Sequence, residues 1–238
     1  MSFIKEIETF RLQDAVTFHT ELNPKLFIGN RLRPEVEKQL KIIAEDFIEE
    51  MGLSDIHVED VTISGSNAAY SYTEHSDLDL HLLVDFSKIN DNKEIVKNYV
   101  GGLKSKWNDS HDIRIGNHPV EVYIQDVNEV NRSQAVYSLT KNTWVKKPQI
   151  EDIQIDKATI SKKYKEYVTF INTAVKEQDL DKLKRLVKRL YEMREAGLAK
   201  SGEYSTENLV FKLLRSSGYV NQLKDAINNI TDKNLSHI

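Results

Sequence analysis

Apolar positions along the chain follow two different periods, and the change between them divides it. Pro34 opens a stretch in which Val36, Leu40, Ile43, Ala44, Phe47, Ile48 and Met51 form one stripe, closed by Gly52, which predicts a helix from Pro34 to Met51. Short runs at Ile56 to Ile63, Asp79 to Val84, Asp112 to Ile115, Pro119 to Ile124, Ala135 to Leu139 and Thr143 to Val145 read as strands. Gly116-Asn117 and Lys141-Asn142 mark two hairpin turns. Between these, a helix with Asn90 or Asp91 as N-cap is expected to about Trp107, carrying Ile95, Tyr99 and Leu103, with Gly101-Gly102 weakening its second half. A short helix is expected to start at Asn67 and reach Tyr72, with Ser66 near its N-terminus. Residues 1–33 show little period, apart from a short helix near Ile4 to Phe10 and turns at Asn23-Pro24 and Gly29-Asn30.

From Asp156 onward the texture becomes helical throughout. Amphipathic helices are predicted over 157–177, over 180–199 with Asp179 as N-cap, around Glu207 to Arg215, and from about Tyr219 to Ile230. The expected fold class is therefore α+β, with a mixed α/β domain over 1–150 and a helical domain over 151–238. No internal repeat or low-complexity segment interrupts it.

Composition excludes several classes. With no cysteine there are no disulfides, thiolate zinc sites or cysteine nucleophiles. No run of 18 apolar residues exists, so a membrane helix is not expected. The opening MSFIKEIETF lacks the apolar core of a secretion signal, and a cytoplasmic location is expected. The net charge of -4 is uneven: residues 1–150 hold 17 Lys+Arg against 24 Asp+Glu, residues 151–238 hold 16 against 13. The helical part is thus mildly basic at +3, far from a nucleic-acid signature.

The chemistry concentrates in Ile63 to Val84, ISGSNAAYSYTEHSDLDLHLLV. In a strand Asp77, Asp79 and His81 share one face while Leu78, Leu80 and Leu82 share the other. Two carboxylates so placed can hold a divalent cation, and a third from a neighbouring strand would complete a Mg²⁺ site for nucleotidyl transfer. Glu121, flanked by Val120 and Val122, is the best candidate; Asp85, Asp112 and Asp126 are rivals at strand ends. Gly65 lets the backbone turn tightly and approach a phosphate, and Ser66 offers a hydroxyl and an amide at a helix start.

GSNAAYSYTEHSDLDLHLLV resembles the signature of the DNA polymerase beta-like nucleotidyltransferase superfamily: hydrophobic-Gly-Ser, ten residues, then Asp-hydrophobic-Asp. A narrower similarity, to predicted nucleotidyltransferases encoded by bacteriophages, extends to LNPKLFIGNRLRPEVEKQL, PVEVYIQD, VYSLTKNTWVKKP and FKLLRSSGY. The resemblance implies a mixed sheet with helices behind it and the metal site on an edge near the Gly-Ser turn. It implies that Asp77 and Asp79 bind two Mg²⁺ ions (or Mn²⁺) and that Glu121 takes the third position. Gly65 and Ser66 would contact the triphosphate, with Asn67 and Ser76 grouped as nucleotide-binding. Many members carry Asp where this chain has Glu121. No Arg or Lys follows the Gly-Ser pair, which weakens an antibiotic-modifying reading.

The implied partners are a nucleoside triphosphate and a hydroxyl acceptor: an RNA or tRNA end, a protein side chain, a small molecule or another nucleotide. A phage-encoded member would work in the host cytoplasm. Plainer readings stand beside these. Tyr70, Tyr72 and Tyr123 stack on a base or sit in the core; His81 touches the site or is a satisfied neighbour. Lys182, Lys184, Arg185, Lys188 and Arg189 form a basic stripe or ordinary solvated charge. The whole fold could also serve as a catalytically silent nucleotide-binding or protein-interaction module.

Overall fold

The computed structural model describes residues 11–131, 133–150 and 153–236. The helix expected near Ile4 to Phe10 lies outside the described residues. Contacts gather the chain into two compact units: Thr17–Glu151, and the residues after Glu151 together with the segment ending at Val16. No helix among the described residues is long and apolar enough to cross a membrane.

The first unit begins with a two-residue ladder, β1 (Phe27–Ile28) against β2 (Arg31–Leu32), followed by α1 (Pro34–Glu50). Pro34 at the first helical turn starts α1 without losing a hydrogen bond, and Val36, Leu40, Ile43, Ala44 and Phe47 form its buried stripe. The sheet follows, with strands β3 (Val58–Ser64), β4 (Leu78–Val84), β5 (Arg114–Ile115), β6 (His118–Asp126), β7 (Val136–Ser138) and β8 (Thr143–Lys146). Their order is β5-β6-β4-β3-β7-β8; β4 and β6 run parallel and every other pair is antiparallel. A parallel pair needs a crossover, and α2 (Lys93–Ser110) supplies it between β4 and β6. Its cap is Asn92, whose side chain accepts from the Glu94 and Ile95 amides, rather than Asn90 or Asp91. Asn90 instead accepts from the Asn92 amide, shaping the turn before the helix. Gly101 and Gly102 leave α2 continuous.

The alternation along β4 is strict: Leu78, Leu80, Leu82 and Val84 are buried and Asp79, His81 and Leu83 are half-buried. Leu78, Leu80 and Leu82 join Ile63, Val120 and Val122 in one core with Leu40, Ile43 and Phe47 of α1, closed by Trp107 of α2 edge-on to Phe47 at 5.4 Å. A two-residue turn joins β5 to β6, with Gly116 at φ 58° and Asn117 at φ 72°. Two consecutive left-handed residues match the twist of an antiparallel hairpin, which is why this dipeptide suits the position.

The second unit is helical: α3 (Lys157–Glu177), α4 (Leu180–Ser201), α5 (Thr206–Ser216) and α6 (Tyr219–Leu235). Asp156, Asp179 and Ser205 cap the first three through their side chains. Ile160, Ile171, Leu183, Leu190, Leu209, Leu214 and Leu223 form its core, and Ala15 and Val16 pack into the same cluster. A Cβ on Gly197 of α4 would come within 2.6 Å of Glu207 Cβ, so α4 and α5 meet almost backbone to backbone.

Leu80 is fully buried at the middle of β4. Leu80→Ala should therefore lower the unfolding free energy by about 2–5 kcal/mol, measured by urea unfolding of the first unit's tryptophan signal.

Candidate functional site

Parallel pairing sets Asp79 beside Glu121, and antiparallel pairing on the other side sets Asp79 beside Ser64. Asp77 precedes β4 by one residue and shares the face of Asp79. One oxygen from each of Asp77, Asp79 and Glu121 lies within 4.8 Å of the others. All three are half-buried. Three hard oxygen donors in this arrangement fit a hard divalent cation such as Mg²⁺ or Mn²⁺ and do not suit a soft metal that prefers sulfur. The trio sits near the starts of β4 and β6, beside the Gly-Ser turn; β5 pairs with β6 only at His118 and Pro119, so Glu121 has β4 on one side and no strand partner on the other.

The rival carboxylates are engaged elsewhere. Asp85 caps a single turn at Phe86–Lys88 by accepting from the Ser87 amide and hydroxyl. Asp112 pairs with Arg114 at 2.9 Å. Asp126, at the far end of β6, pairs with Lys93 at 3.0 Å and accepts from the Asn128 amide.

Gly65 fits the site in two ways. Its φ of 77° is left-handed, and a Cβ there would lie 2.2 Å from Asp79 Oδ2. The backbone thus approaches a carboxylate directly, which only glycine permits. Ser66 does not begin the expected helix reaching Tyr72; it starts a three-residue 3₁₀ turn, Ser66–Ala68, too short to gather a helix dipole. The run Ala69 to Ser76 instead takes an irregular path held by side chains. Ser66 Oγ lies 2.8 Å from Ser76 Oγ, which also accepts from the Thr73 amide at 2.9 Å.

Asn67 is fully buried and its amide is spent on the backbone: Nδ2 donates to the carbonyls of Ser76 (3.1 Å) and Asp77 (2.9 Å). Asn23 Nδ2 donates to Asn67 Oδ1 at 2.8 Å and lies 2.9 Å from His118 Nε2. His118 Nδ1 meets the Ser76 carbonyl at 2.7 Å. A carbonyl only accepts, so Nδ1 carries the proton and Nε2 accepts from Asn23. Asn67 and Ser76, both candidates for nucleotide binding, here fasten the loop that delivers Asp77. Asn23 and His118 complete that clasp, and sequence reasoning missed both: Asn23-Pro24 read as a turn and nothing more. No period links residues 95 positions apart.

On the carboxylate face His81 stands beside Tyr123 in register, ring centroids 4.9 Å apart and nearly parallel. His81 Nε2 lies 3.1 Å from Ser64 Oγ. Burial, then the nearby Lys104 ammonium, pushes the His81 imidazole down to about 4, so it is neutral at physiological pH. The Tyr123 hydroxyl donates to Glu121 Oε2. Burial first, then the Asp79 and Glu121 carboxylates, hold the phenol well above its ordinary range. With His81 and the Lys104 ammonium against its ring, Tyr123 does not present an open platform for a base. Tyr70 packs against the sheet core, and Tyr72 stacks on His19 at 3.8 Å.

In the helical unit the basic run is partly neutralised. Lys182 pairs with Glu177, Lys188 lies 3.7 Å from Glu192, and the Arg189 guanidinium sits over Tyr167 at 6.0 Å. Lys184 and Arg185 are exposed.

Two measurements check this geometry. Gly65→Ala should destabilise the chain and displace Asp79, seen as a lowered melting temperature and a loss of Mn²⁺ binding greater than Ser66→Ala causes. Burial lowers the His118 imidazole below its ordinary 6.5. The unfolded chain therefore takes up that proton first as pH falls, so stability complete above about pH 6.5 is lost as the pH drops toward the folded value. Unfolding free energies at about pH 7 and about pH 5 should show this decline, with a shallower slope in His118→Asn.

No family model matches the chain, and no curated protein matches it in sequence. Among solved structures, a STING-associated CdnE c-di-GMP synthase from Capnocytophaga granulosa is similar over 85% of this chain and 84% of its own, at 14% identity and a TM-score of 0.23, too loose a likeness to carry anything across.

Proposed function

We propose that the unit Thr17–Glu151 is a metal-dependent nucleotidyltransferase that moves a nucleoside monophosphate from a nucleoside triphosphate to a hydroxyl acceptor. The observation that carries this reading is the convergence of Asp77, Asp79 and Glu121, with ligand oxygens within 4.8 Å of one another. Carboxylates so close repel unless positive charge comes between them. When bound, two Mg²⁺ or Mn²⁺ ions would neutralise the phosphates and align the acceptor with the α-phosphorus.

In this reading Asp77 and Asp79 hold both cations and Glu121 takes the third position. Gly65 and Ser66 offer a backbone amide and a hydroxyl to the triphosphate, on a turn that already touches Asp79. The acceptor oxygen bonds to the α-phosphorus as the bridging oxygen between the α- and β-phosphorus leaves with pyrophosphate. The acceptor's proton passes to a carboxylate of the trio. The acceptor is a nucleic-acid 3′ end, a protein side chain, a small molecule or another nucleotide, and the charge balance of residues 151–238 does not rank them. A cytoplasmic setting belongs to the same proposal.

Incubation of the full chain with Mg²⁺, each labelled triphosphate, and total cell RNA, protein or small-molecule extract tests this. Pyrophosphate release and label transfer are expected, and Asp77→Asn or Asp79→Asn should reduce them by about 100-fold or more, as loss of several kcal/mol of charge stabilisation implies. Nucleotide binding without pyrophosphate release under any acceptor would identify a silent binding module instead.

A further inference from the structure

We propose that Tyr123 is a positioning residue that holds Glu121 to a single-oxygen grip and so selects a small octahedral cation, Mg²⁺ or Mn²⁺, over Ca²⁺. This rests on the metal-site reading above and adds to it a residue and a discrimination. Tyr123 follows Glu121 by two positions on β6, on the same face, and its hydroxyl donates to Glu121 Oε2. That hydrogen bond uses one of the lone pairs of Oε2, which favours Oε1 as the ligand atom.

The phenol is held in place from several directions. His81 stacks against its ring, and Lys104 Nζ of α2 lies 3.7 Å from the ring centroid. Four residues on, Asn108 of the same helix bonds both backbone groups of Val122, donating to its carbonyl at 3.1 Å and accepting from its amide at 3.0 Å. The strand is thereby clamped at the residue between Glu121 and Tyr123.

The consequence follows from coordination chemistry. Mg²⁺ and Mn²⁺ take one oxygen from each carboxylate in near-octahedral geometry, whereas Ca²⁺ takes six to eight oxygens and favours bidentate carboxylates. A glutamate with one oxygen bound by a phenol suits the former and handicaps the latter. Partners of metal ligands typically contribute about 10- to 100-fold in metal affinity.

The test titrates the full chain with Mn²⁺ and, separately, with Ca²⁺, without nucleotide, by calorimetry. Tyr123→Phe should weaken Mn²⁺ binding about 10-fold while leaving Ca²⁺ binding unchanged or tighter, with the circular dichroism unchanged. In a Glu121→Gln background the same substitution should have no effect on Mn²⁺, because its route runs through Glu121. Equal Mn²⁺ and Ca²⁺ affinities in wild type and Tyr123→Phe, or an effect that persists in Glu121→Gln, would overturn the assignment of Tyr123 alone. Mn²⁺ binding by wild type no tighter than by Asp77→Asn/Asp79→Asn would overturn the metal site, and this proposal with it. Should Tyr123→Phe not fold, difference infrared spectra of the wild type serve instead. A monodentate carboxylate signature with Mn²⁺ that disappears in Glu121→Gln supports the proposal; a bidentate one contradicts it.

Discussion

The parallel pairing of β4 with β6 is the constraint on which the rest of the first unit depends. It fixes Asp79 beside Glu121 and His81 beside Tyr123, and it sets Leu80 beside Val122 on the opposite face. A slip of one residue would turn the leucines outward and carry the carboxylates into the core. Each fully buried aliphatic side chain contributes about 1.5–3 kcal/mol. Leu78, Leu80, Leu82 and Val122 together oppose the mutual repulsion of three half-buried carboxylates that water still screens. The sheet thus tolerates a concentration of negative charge because the charge occupies one face and the apolar burial the other.

What could be read from the residues alone was whatever repeats at short range. The alternation from Leu78 to Val84 and the ten residues between Ser66 and Asp77 singled out two of the converging carboxylates. The alternation around Glu121 suggested the third, and β6 brings it within reach. The helix stripes and caps of the second unit were legible for the same reason: Asp179 and the period of Leu183 to Leu190 are local facts. The side chains that support the site were not legible. Asn23, Asn67 and His118 meet across 44 and 95 positions, and nothing in the spacing of an Asn-Pro turn announces a buried histidine partner.

The loop from Ser66 to Asp77 shows what replaces regular structure when helix hydrogen bonds stop after one turn. Its carbonyls at Ser76 and Asp77 are satisfied by Asn67 and His118 instead, so the segment is ordered by buried side-chain amides and an imidazole. Gly65 at one end and Asp77 at the other are therefore both fixed relative to Asp79. The helix expected from Asn67 to Tyr72 stops after one 3₁₀ turn: Ala68 and Ala69 favour helix locally, and the buried Asn67, bonded to the Ser76 and Asp77 carbonyls, overrides them.

Asn108 has a further consequence, for the company the protein keeps. β5 covers only the start of β6, pairing with His118 and Pro119, which leaves the outer rim of a nine-residue strand with backbone groups able to accept another strand. Such rims are templates for intermolecular β-pairing and aggregation. By bonding both backbone groups of Val122, the side chain of Asn108 stands in for the missing neighbour at the middle of that rim. The crossover helix thus satisfies with one side chain what a neighbouring strand would satisfy with its backbone.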